Sequence, residues 1–264
     1  MNYKSILNLL GILLGIFSLS FIPPLILSYV YNESGNDVFL YSFLFFFILG
    51  GVIWAATRQE NLPLNISDGF IITTLFWVVL ACAGSVPFYF FGLNVSDAIF
   101  ESVSGITTTG ATTIVGLDNL PKSILLYRQL LQWIGGMGLI VLAVAVMPAL
   151  GIGGGQLYKM ELPGSHGNQK LTPKITDSAK ALWKIYVGLT VACATLYLLS
   201  GMSLFDSIAH SLSTVAGGGF STHDGSIGFF DSALIETVCI IFMLLSAASF
   251  AVHYAAIFGG KPLK

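Results

Sequence analysis

Long apolar segments alternate with short polar breaks along this chain. Six apolar runs lie at 5–31, 37–57, 69–91, 122–149, 178–200 and 231–258. A helix needs about 20 apolar residues to cross the hydrocarbon core of a bilayer. The pattern therefore predicts six transmembrane helices, and the pair Pro23-Pro24 predicts a kink in the first.

Two shorter segments, at 96–107 and 205–216, lie between predicted spans and are followed by Gly- and Thr-rich loops. They are too short to cross a bilayer, so we expect them to enter it and return. Strands of an outer-membrane barrel would alternate in polarity over about ten residues, a pattern that these runs lack. The predicted fold class is an all-α polytopic membrane protein.

An internal repeat relates the two halves of the chain. A shift of 109 residues lays 92–116 onto 201–225 without a gap, and eight of 25 positions are identical. Most of the matches are polar or glycine, which membrane composition alone does not favour. The identical pairs are Gly92/Gly201, Asp97/Asp206, Ile99/Ile208, Ser102/Ser211, Ser104/Ser213, Gly110/Gly219, Thr113/Thr222 and Gly116/Gly225.

Each copy of the repeat contains an outer helix, a short pore helix, an extended loop and an inner helix (M1–P–M2). Because each copy contributes two spans, both enter the membrane from the same side, unlike the inverted repeats of many secondary transporters. We predict an N-terminal helix pair (1–60), a first module (61–150), a connector (151–177) and a second module (178–264).

The loops at 108–113 and 217–222 are where we expect the chemistry. Non-helical backbone at membrane depth needs partners for its carbonyl groups, and a row of carbonyls can replace the hydration shell of a monovalent cation. The carboxyl ends of the two pore helices add negative potential. Alternatively, the glycines only permit close helix packing. Their equivalent places in a repeat favour a cation site.

The composition of the chain argues against other classes of protein. The chain is 55% hydrophobic and 9% charged, with a mean hydropathy of +0.84, which is incompatible with a soluble domain. A formal charge of −2 provides no basic surface for nucleic acid. The three cysteines show no CxxC spacing, and no His, Asp or Glu cluster has catalytic spacing, so we do not expect an enzyme.

The distribution of Lys and Arg predicts a cytoplasmic N-terminus. Nine of them then lie inside and only Lys122 and Arg128 face outside. Within the membrane, Glu101 and Arg128 are predicted to form a structural ion pair between the first pore helix and its inner helix. Asp97 and Asp206 are expected to help cap the pore helices, and the GGMG motif at 135–138 to form a close-packing surface.

Two stretches carry a family resemblance. FESVSGITTTGATTIVGLDNLPKSILLYRQLLQWIGGMG and FDSIAHSLSTVAGGGFSTHD resemble the pore loops of the TrkH-like potassium transporters in the Trk/Ktr/HKT superfamily. The resemblance implies four M1–P–M2 modules around one pore, each with one central filter glycine. The implied potassium filter residues are Thr108, Thr109, Gly110, Ala111, Gly217, Gly218, Gly219 and Phe220.

The same resemblance implies potassium uptake across the bacterial cytoplasmic membrane, with K⁺ as transported substrate and no covalently bound cofactor. It also implies a cytosolic nucleotide-binding regulatory subunit (TrkA-like). Only two modules are present, so we expect the N-terminal half of a transporter, partnered by lipid and by the missing half or another copy. A third glycine, Gly217, departs from the pattern and is expected to loosen its strand. The alternative is a secondary transporter binding a small solute or cation at broken helices.

Overall fold

A computed structural model of the chain describes residues 3–33, 35–58, 66–149, 175–248 and 252–253. The all-α fold class is confirmed, and the predicted pore helices are observed within one residue of their expected bounds. Residues 151–174 of the predicted connector lie outside the described residues. The helices are α1 (Tyr3–Ser18), α2 (Ile22–Val30), α3 (Asn36–Thr57), α4 (Ile66–Phe90), α5 (Val95–Ile106), α6 (Lys122–Ala149), α7 (Ile175–Leu199), α8 (Leu204–Ala216) and α9 (Ala233–Ala247).

The first predicted span is interrupted, as expected, but the break precedes the prolines. A 3₁₀ turn at Leu19–Phe21 separates α1 from α2, and Pro23 and Pro24 stand in the first turn of α2. Proline lacks an N–H group and its ring clashes with the carbonyl four residues earlier. The distortion therefore falls one turn before the proline pair.

Within the described residues, four helical segments are long and apolar enough to span a membrane. The other two predicted spans, α6 and α9, stay predictions. Helix α6 carries the buried polar residues Arg128, Gln129 and Gln132, which lower its apolarity, and α9 is described as continuous only to Ala247. The four segments are Tyr3–Val30, Asp37–Thr57, Asp68–Phe90 and Leu182–Leu199.

Glycines bring α1 and α3 into close contact. A Cβ atom on Gly50 would lie 2.7 Å from the carbonyl oxygen of Gly11 and 2.8 Å from the amide nitrogen of Gly15. A Cβ atom on Gly11 would lie 2.9 Å from the Gly50 carbonyl oxygen. Small residues at a crossing let two membrane helices approach at backbone distance. The N-terminal pair is therefore held by a crossing that no larger residue fits.

Replacing Gly50 by alanine is expected to separate α1 from α3 and to lower the melting temperature of the purified protein by several degrees. The neighbouring Gly51 is the matched control, because a Cβ atom there meets nothing within 4 Å. Gly51→Ala should be neutral or slightly stabilising, since alanine favours a helix over glycine by about 1 kcal/mol. Thermal unfolding of both variants in detergent measures the difference. Equal melting temperatures would contradict the role of this crossing.

Helix α6 connects the N-terminal pair with the first module. Its buried Tyr127 packs against Phe21, Phe39 and Phe88, and the Tyr127 hydroxyl donates to the Gly84 carbonyl oxygen (2.9 Å). Aromatic contacts of this kind bury a large apolar area and fix ring geometry. The packing sets the position of α6 relative to α1–α4. It thereby also positions the polar residues that follow Tyr127 on the same helix.

The amino end of α6 is also fixed by Glu33, which lies in the loop after α2. Its carboxylate accepts hydrogen bonds from the backbone N–H groups of Lys122 (2.6 Å) and Ser123 (3.2 Å). Free N–H groups and the positive end of the helix dipole make this a favourable place for a carboxylate. Glu33 thus links the N-terminal helix pair to the first module.

Candidate functional site

The two pore helices begin in the same way. Asn94 and Ser203 are their N-cap residues, and each side-chain oxygen accepts a hydrogen bond from the N–H group of an aspartate three residues later, Asp97 or Asp206. In return, each aspartate side chain accepts a bond from the capping side chain (2.7 and 2.6 Å). The reciprocal pair resembles a capping box. The two aspartates help to cap, as predicted, while the N-cap positions themselves were not identified from the sequence.

The ends of the pore helices also match. The N–H group of Thr109 donates to the Ser104 carbonyl oxygen (2.9 Å), and that of Gly218 donates to the equivalent Ser213 carbonyl oxygen (3.0 Å). Each helix thus ends in a tight turn, and an extended segment leaves it. We call these segments filter strand 1 (108–113) and filter strand 2 (217–222). The repeat seen in the sequence is a repeat of backbone geometry.

Both strands carry a left-handed residue at two equivalent places. Gly110 and Gly219 have φ of +76° and +81°, and the residues two positions earlier, Thr108 and Gly217, have φ of +55° and +69°. The left-handed region costs an ordinary L-residue roughly 1–2 kcal/mol and costs glycine little. Gly217 therefore relieves strain at a helix end where strand 1 has a threonine. The expectation that Gly217 loosens its strand stays a prediction.

The two strands meet behind the central glycines. A Cβ atom on Gly110 would lie 1.9 Å from the carbonyl oxygen of Gly218, so strand 1 packs directly against the backbone of strand 2. A Cβ atom on Gly219 would meet no atom of the described residues within 4 Å. The side of Gly219 therefore faces open space, while Gly110 lies at the contact between modules. Both positions favour glycine because of their left-handed φ, and Gly110 also needs it because of the contact with Gly218.

A hydroxyl group braces each strand two residues after its central glycine. In strand 1, Thr112 donates to the Glu101 carboxylate and accepts from the N–H group of Ile114 (3.1 Å). In strand 2, Ser221 accepts from the N–H group of His223 (3.0 Å) and its hydroxyl lies 3.0 Å from Nε2 of His210. Glu101 and His210 occupy equivalent positions of the repeat. Each holds the hydroxyl group of its own strand, Glu101 through a carboxylate and His210 through an imidazole.

Arg128 lies where the two modules join, and it is fully buried, as is Glu101. Its Nε lies 3.4 Å from the Glu101 carboxylate, its Nη1 donates to the Ser221 carbonyl oxygen (3.1 Å) and its Nη2 donates to the Thr112 hydroxyl (3.0 Å). The guanidinium also stacks 4.2 Å from the ring centre of Phe220. A buried guanidinium is stable only with such partners. It contacts both filter strands.

The glycines of α6 pack against the ends of both pore helices. A Cβ atom on Gly135 would lie 1.9 Å from the Ile106 carbonyl oxygen at the end of α5. One on Gly136 would lie 3.2 Å from the Ala216 side chain at the end of α8. The GGMG motif is therefore a close-packing surface, as predicted. It brings the negative ends of two helix dipoles together beside the filter strands.

The loops after the two strands are joined to one another. The N–H group of Gly116 donates to the Asp224 carboxylate (3.0 Å), and the imidazole of His223 lies 2.5 Å from the Asp118 carboxylate. The hydrogen bond from His223 holds the pKa of the exposed Asp118 carboxyl below its ordinary value. These contacts connect the two modules at the loops that follow the filter strands.

The structure therefore brings the predicted filter residues together on two adjacent strands, and it places Glu101 against Arg128. One predicted filter residue, Ala111, differs in that its carbonyl oxygen already has a partner within the protein. It accepts a hydrogen bond from the Ser104 hydroxyl (2.6 Å). Sequence reasoning missed Gln132, whose amide oxygen accepts from the N–H group of Phe220 (3.0 Å). It stands one turn after Arg128, and a polar residue in a membrane helix was the available signal.

Comparison with known proteins identifies the family. The family model described as "TrkH: Cation transport protein" matches residues 35–261. The chain belongs to the TrkH family. Among curated TrkH proteins, this chain is 49% identical to the Trk system potassium uptake protein TrkH of Vibrio parahaemolyticus, over 98% of this chain and 54% of that protein. It is 47% identical to TrkH of Escherichia coli K12, over 100% of this chain and 55% of that protein.

A solved TrkH structure shows the same fold. The crystal structure of the potassium transporter TrkH from Vibrio parahaemolyticus superposes with a TM-score of 0.84 at 47% identity, covering 98% of this chain and 53% of that chain. This likeness confirms the parallel M1–P–M2 repeats. The chain spans about half the length of the TrkH relatives that it matches.

Proposed function

We propose that this chain supplies two of the four filter strands of a pore for potassium uptake. The observation that carries the proposal is the equivalent pair of left-handed glycines, Gly110 and Gly219, on adjacent strands after parallel pore helices. Backbone carbonyls on strands of this kind can replace the hydration shell of a cation, which supports the proposal. The TrkH relatives named as potassium uptake proteins indicate K⁺ as the substrate.

The proposed filter consists of 108–111 in strand 1 and 217–220 in strand 2. Neither strand needs a bound cofactor, because the transported ion makes and breaks no covalent bond and the protein is a transporter, not an enzyme. Two strands surround only half of an axis. The other two come from the remaining half of the pore or from another copy, and lipid covers the outer faces.

The alternative, a secondary transporter with its site at broken helices, receives less support. Parallel repeats and short pore helices are typical of pores, whereas many secondary transporters use inverted repeats. The relatives are also named as potassium uptake proteins.

K⁺ flux tests the proposal. The complete transporter containing these modules, in proteoliposomes, should take up K⁺ in strong preference to Na⁺. The 264-residue chain alone, diluted so that single-molecule photobleaching shows monomers, should give no selective flux. Equal K⁺ and Na⁺ flux through the complete transporter would overturn the proposal.

The proposed location is the bacterial cytoplasmic membrane, with the N-terminus inside. The nine-to-two distribution of Lys and Arg supports this orientation. We further propose that the connector at 151–177 faces the cytosol between the two modules (61–150 and 178–264), after the helix pair at 1–60. A TrkA-like nucleotide-binding subunit would bind on that side.

Cysteine labelling is expected to show the orientation directly. In a background without the native cysteines, Asn119→Cys should react with an impermeant reagent added to intact cells, and Ser165→Cys should react only after permeabilisation. The reason is that positive-inside sorting places residues 111–121 outside and 151–177 inside. Labelling of Ser165→Cys in intact cells would reverse the proposed orientation.

A further inference from the structure

Besides Arg128, a second buried side chain of the first module lies beside both filter strands. Gln132 of α6 is fully buried, and its Oε1 accepts the hydrogen bond from the Phe220 N–H group at 3.0 Å. A Cβ atom on Gly218 would lie 2.3–2.5 Å from the Gln132 carboxamide, so the amide packs flat against strand 2. Burying a carboxamide costs free energy unless it is hydrogen-bonded, so the bond to Phe220 is what offsets the burial of Gln132.

The orientation of the carboxamide is determined by its partner. Phe220 offers only an N–H donor, so the atom that faces it has to be the amide oxygen. The amide nitrogen Nε2 then points away, and it has no hydrogen-bond partner among the described residues. It lies 3.6 Å from the position of a Cβ atom on Gly110, which places it beside strand 1.

The geometry of the peptide bond links this hydrogen bond to the direction of the Gly219 carbonyl group. The described peptide bonds are trans. In a planar trans peptide, the C=O of one residue and the N–H of the next point in opposite directions. When Gln132 holds the Phe220 N–H group on the side of α6, the Gly219 carbonyl oxygen must point away from α6. Gly219 has open space within 4 Å of its Cβ position, on the exposed side of the strand.

Loss of this hydrogen bond removes a contact that fixes the orientation of the peptide between Gly219 and Phe220. Rotation of this peptide changes ψ of Gly219 and φ of Phe220, and the glycine permits the change in ψ at little cost, so the carbonyl can turn away from the axis. Arg128, one turn earlier on α6, donates to the carbonyl oxygen two residues further along, that of Ser221, at 3.1 Å. Two side chains of one helix, a turn apart, thus hold successive parts of the strand of the next module.

We propose that Gln132 is a positioning residue for ion selection, which fixes the Gly219 carbonyl oxygen towards the ion path from the opposite face of the strand. The inference rests on the proposed filter function and deepens it. Gln132 does not touch the ion. It acts through the peptide between Gly219 and Phe220.

Two substitutions with the same chemistry test the role in the complete transporter. Gln132→Met keeps the length of the side chain and removes the acceptor. Gln129→Met is the matched control, because Gln129 is equally buried on the same helix and has no hydrogen bond within the described residues. We expect Gln132→Met to lower the K⁺/Na⁺ flux ratio by about tenfold, the effect of losing one hydrogen bond of ordinary strength. Gln129→Met should leave the ratio unchanged.

A third variant distinguishes positioning from packing. Gln132→Glu keeps an oxygen acceptor at the same reach and should keep most of the selectivity. Bound K⁺ stabilises the folded state by mass action, so the difference in melting temperature between K⁺ and Na⁺ buffers supplies a readout independent of flux. This difference should shrink for Gln132→Met alone.

The outcomes distinguish the role of Gln132 from the proposed filter function. A selective wild type with an equally selective Gln132→Met protein overturns the role of Gln132 and leaves the filter in place. Equal losses in the Glu and Met variants overturn it too, because the acceptor would then not be the cause. A wild type that does not discriminate between K⁺ and Na⁺ overturns the proposed function itself.

Discussion

Replacing Arg128 by methionine is expected to cost the protein about 3–5 kcal/mol of stability, because it leaves the Glu101 carboxylate buried without its counter-charge. For a chain of this length, that loss lowers the melting temperature by on the order of 10 °C. The substitution also removes the donor to the Ser221 carbonyl oxygen and the contact with the Phe220 ring. We therefore expect loss of K⁺ selectivity along with loss of stability.

The matched control is Arg58→Met. Arg58 is exposed at the end of α3, where its guanidinium lies 5.2 Å from the ring centre of Trp54. Exposed charges of this kind contribute about 1 kcal/mol or less. Thermal unfolding in detergent compares the two variants.

A double variant provides a further check. Adding Glu101→Gln to Arg128→Met removes the unpaired charge and should recover part of the stability, a coupling that a double-mutant cycle measures. An Arg128→Met protein as stable as the Arg58→Met protein would show that the pair is not needed.

Replacing Gly110 by alanine should abolish most of the discrimination between K⁺ and Na⁺. The new methyl group would lie 1.9 Å from the Gly218 carbonyl oxygen, so one of the two strands has to move. The Gly218 carbonyl oxygen, which the methyl group would displace, belongs to the proposed filter. Flux of K⁺ and Na⁺ through the complete transporter measures the effect.

Gly219→Ala separates the clash from backbone strain. Gly219 has nearly the same φ as Gly110, so alanine costs about 1–2 kcal/mol of backbone strain at both places. Only at Gly110 does the methyl group also meet another backbone. We therefore expect Gly110→Ala to be the more damaging change. Equal defects in the two variants would mean that strain alone, and not contact between strands, limits selectivity.

The fold was predictable because it depends on local patterns. Apolar runs placed the long helices, and the repeat placed both pore helices within one residue. The break before Pro23 was one turn off, because proline disturbs the helix at the carbonyl four residues earlier.

The site was predictable only in part. The glycines and the pair of Glu101 with Arg128 followed from repeat position and from the cost of charge in a membrane. The contact of Gly110 with Gly218 did not, since residues 108 positions apart in sequence meet only after both modules pack. For the same reason, no sequence pattern assigned Gln132 to the strand of the other module, or Glu33 to the amino end of α6.

The crossed bracing of strand 2 makes the second module depend on the first. Arg128 and Gln132 belong to the first module, yet they hold the backbone of the second. A protein with one such module could not supply this support to its own strand by the same contacts. The second module without α6 would therefore leave the Ser221 carbonyl oxygen and the Phe220 N–H group without these two partners.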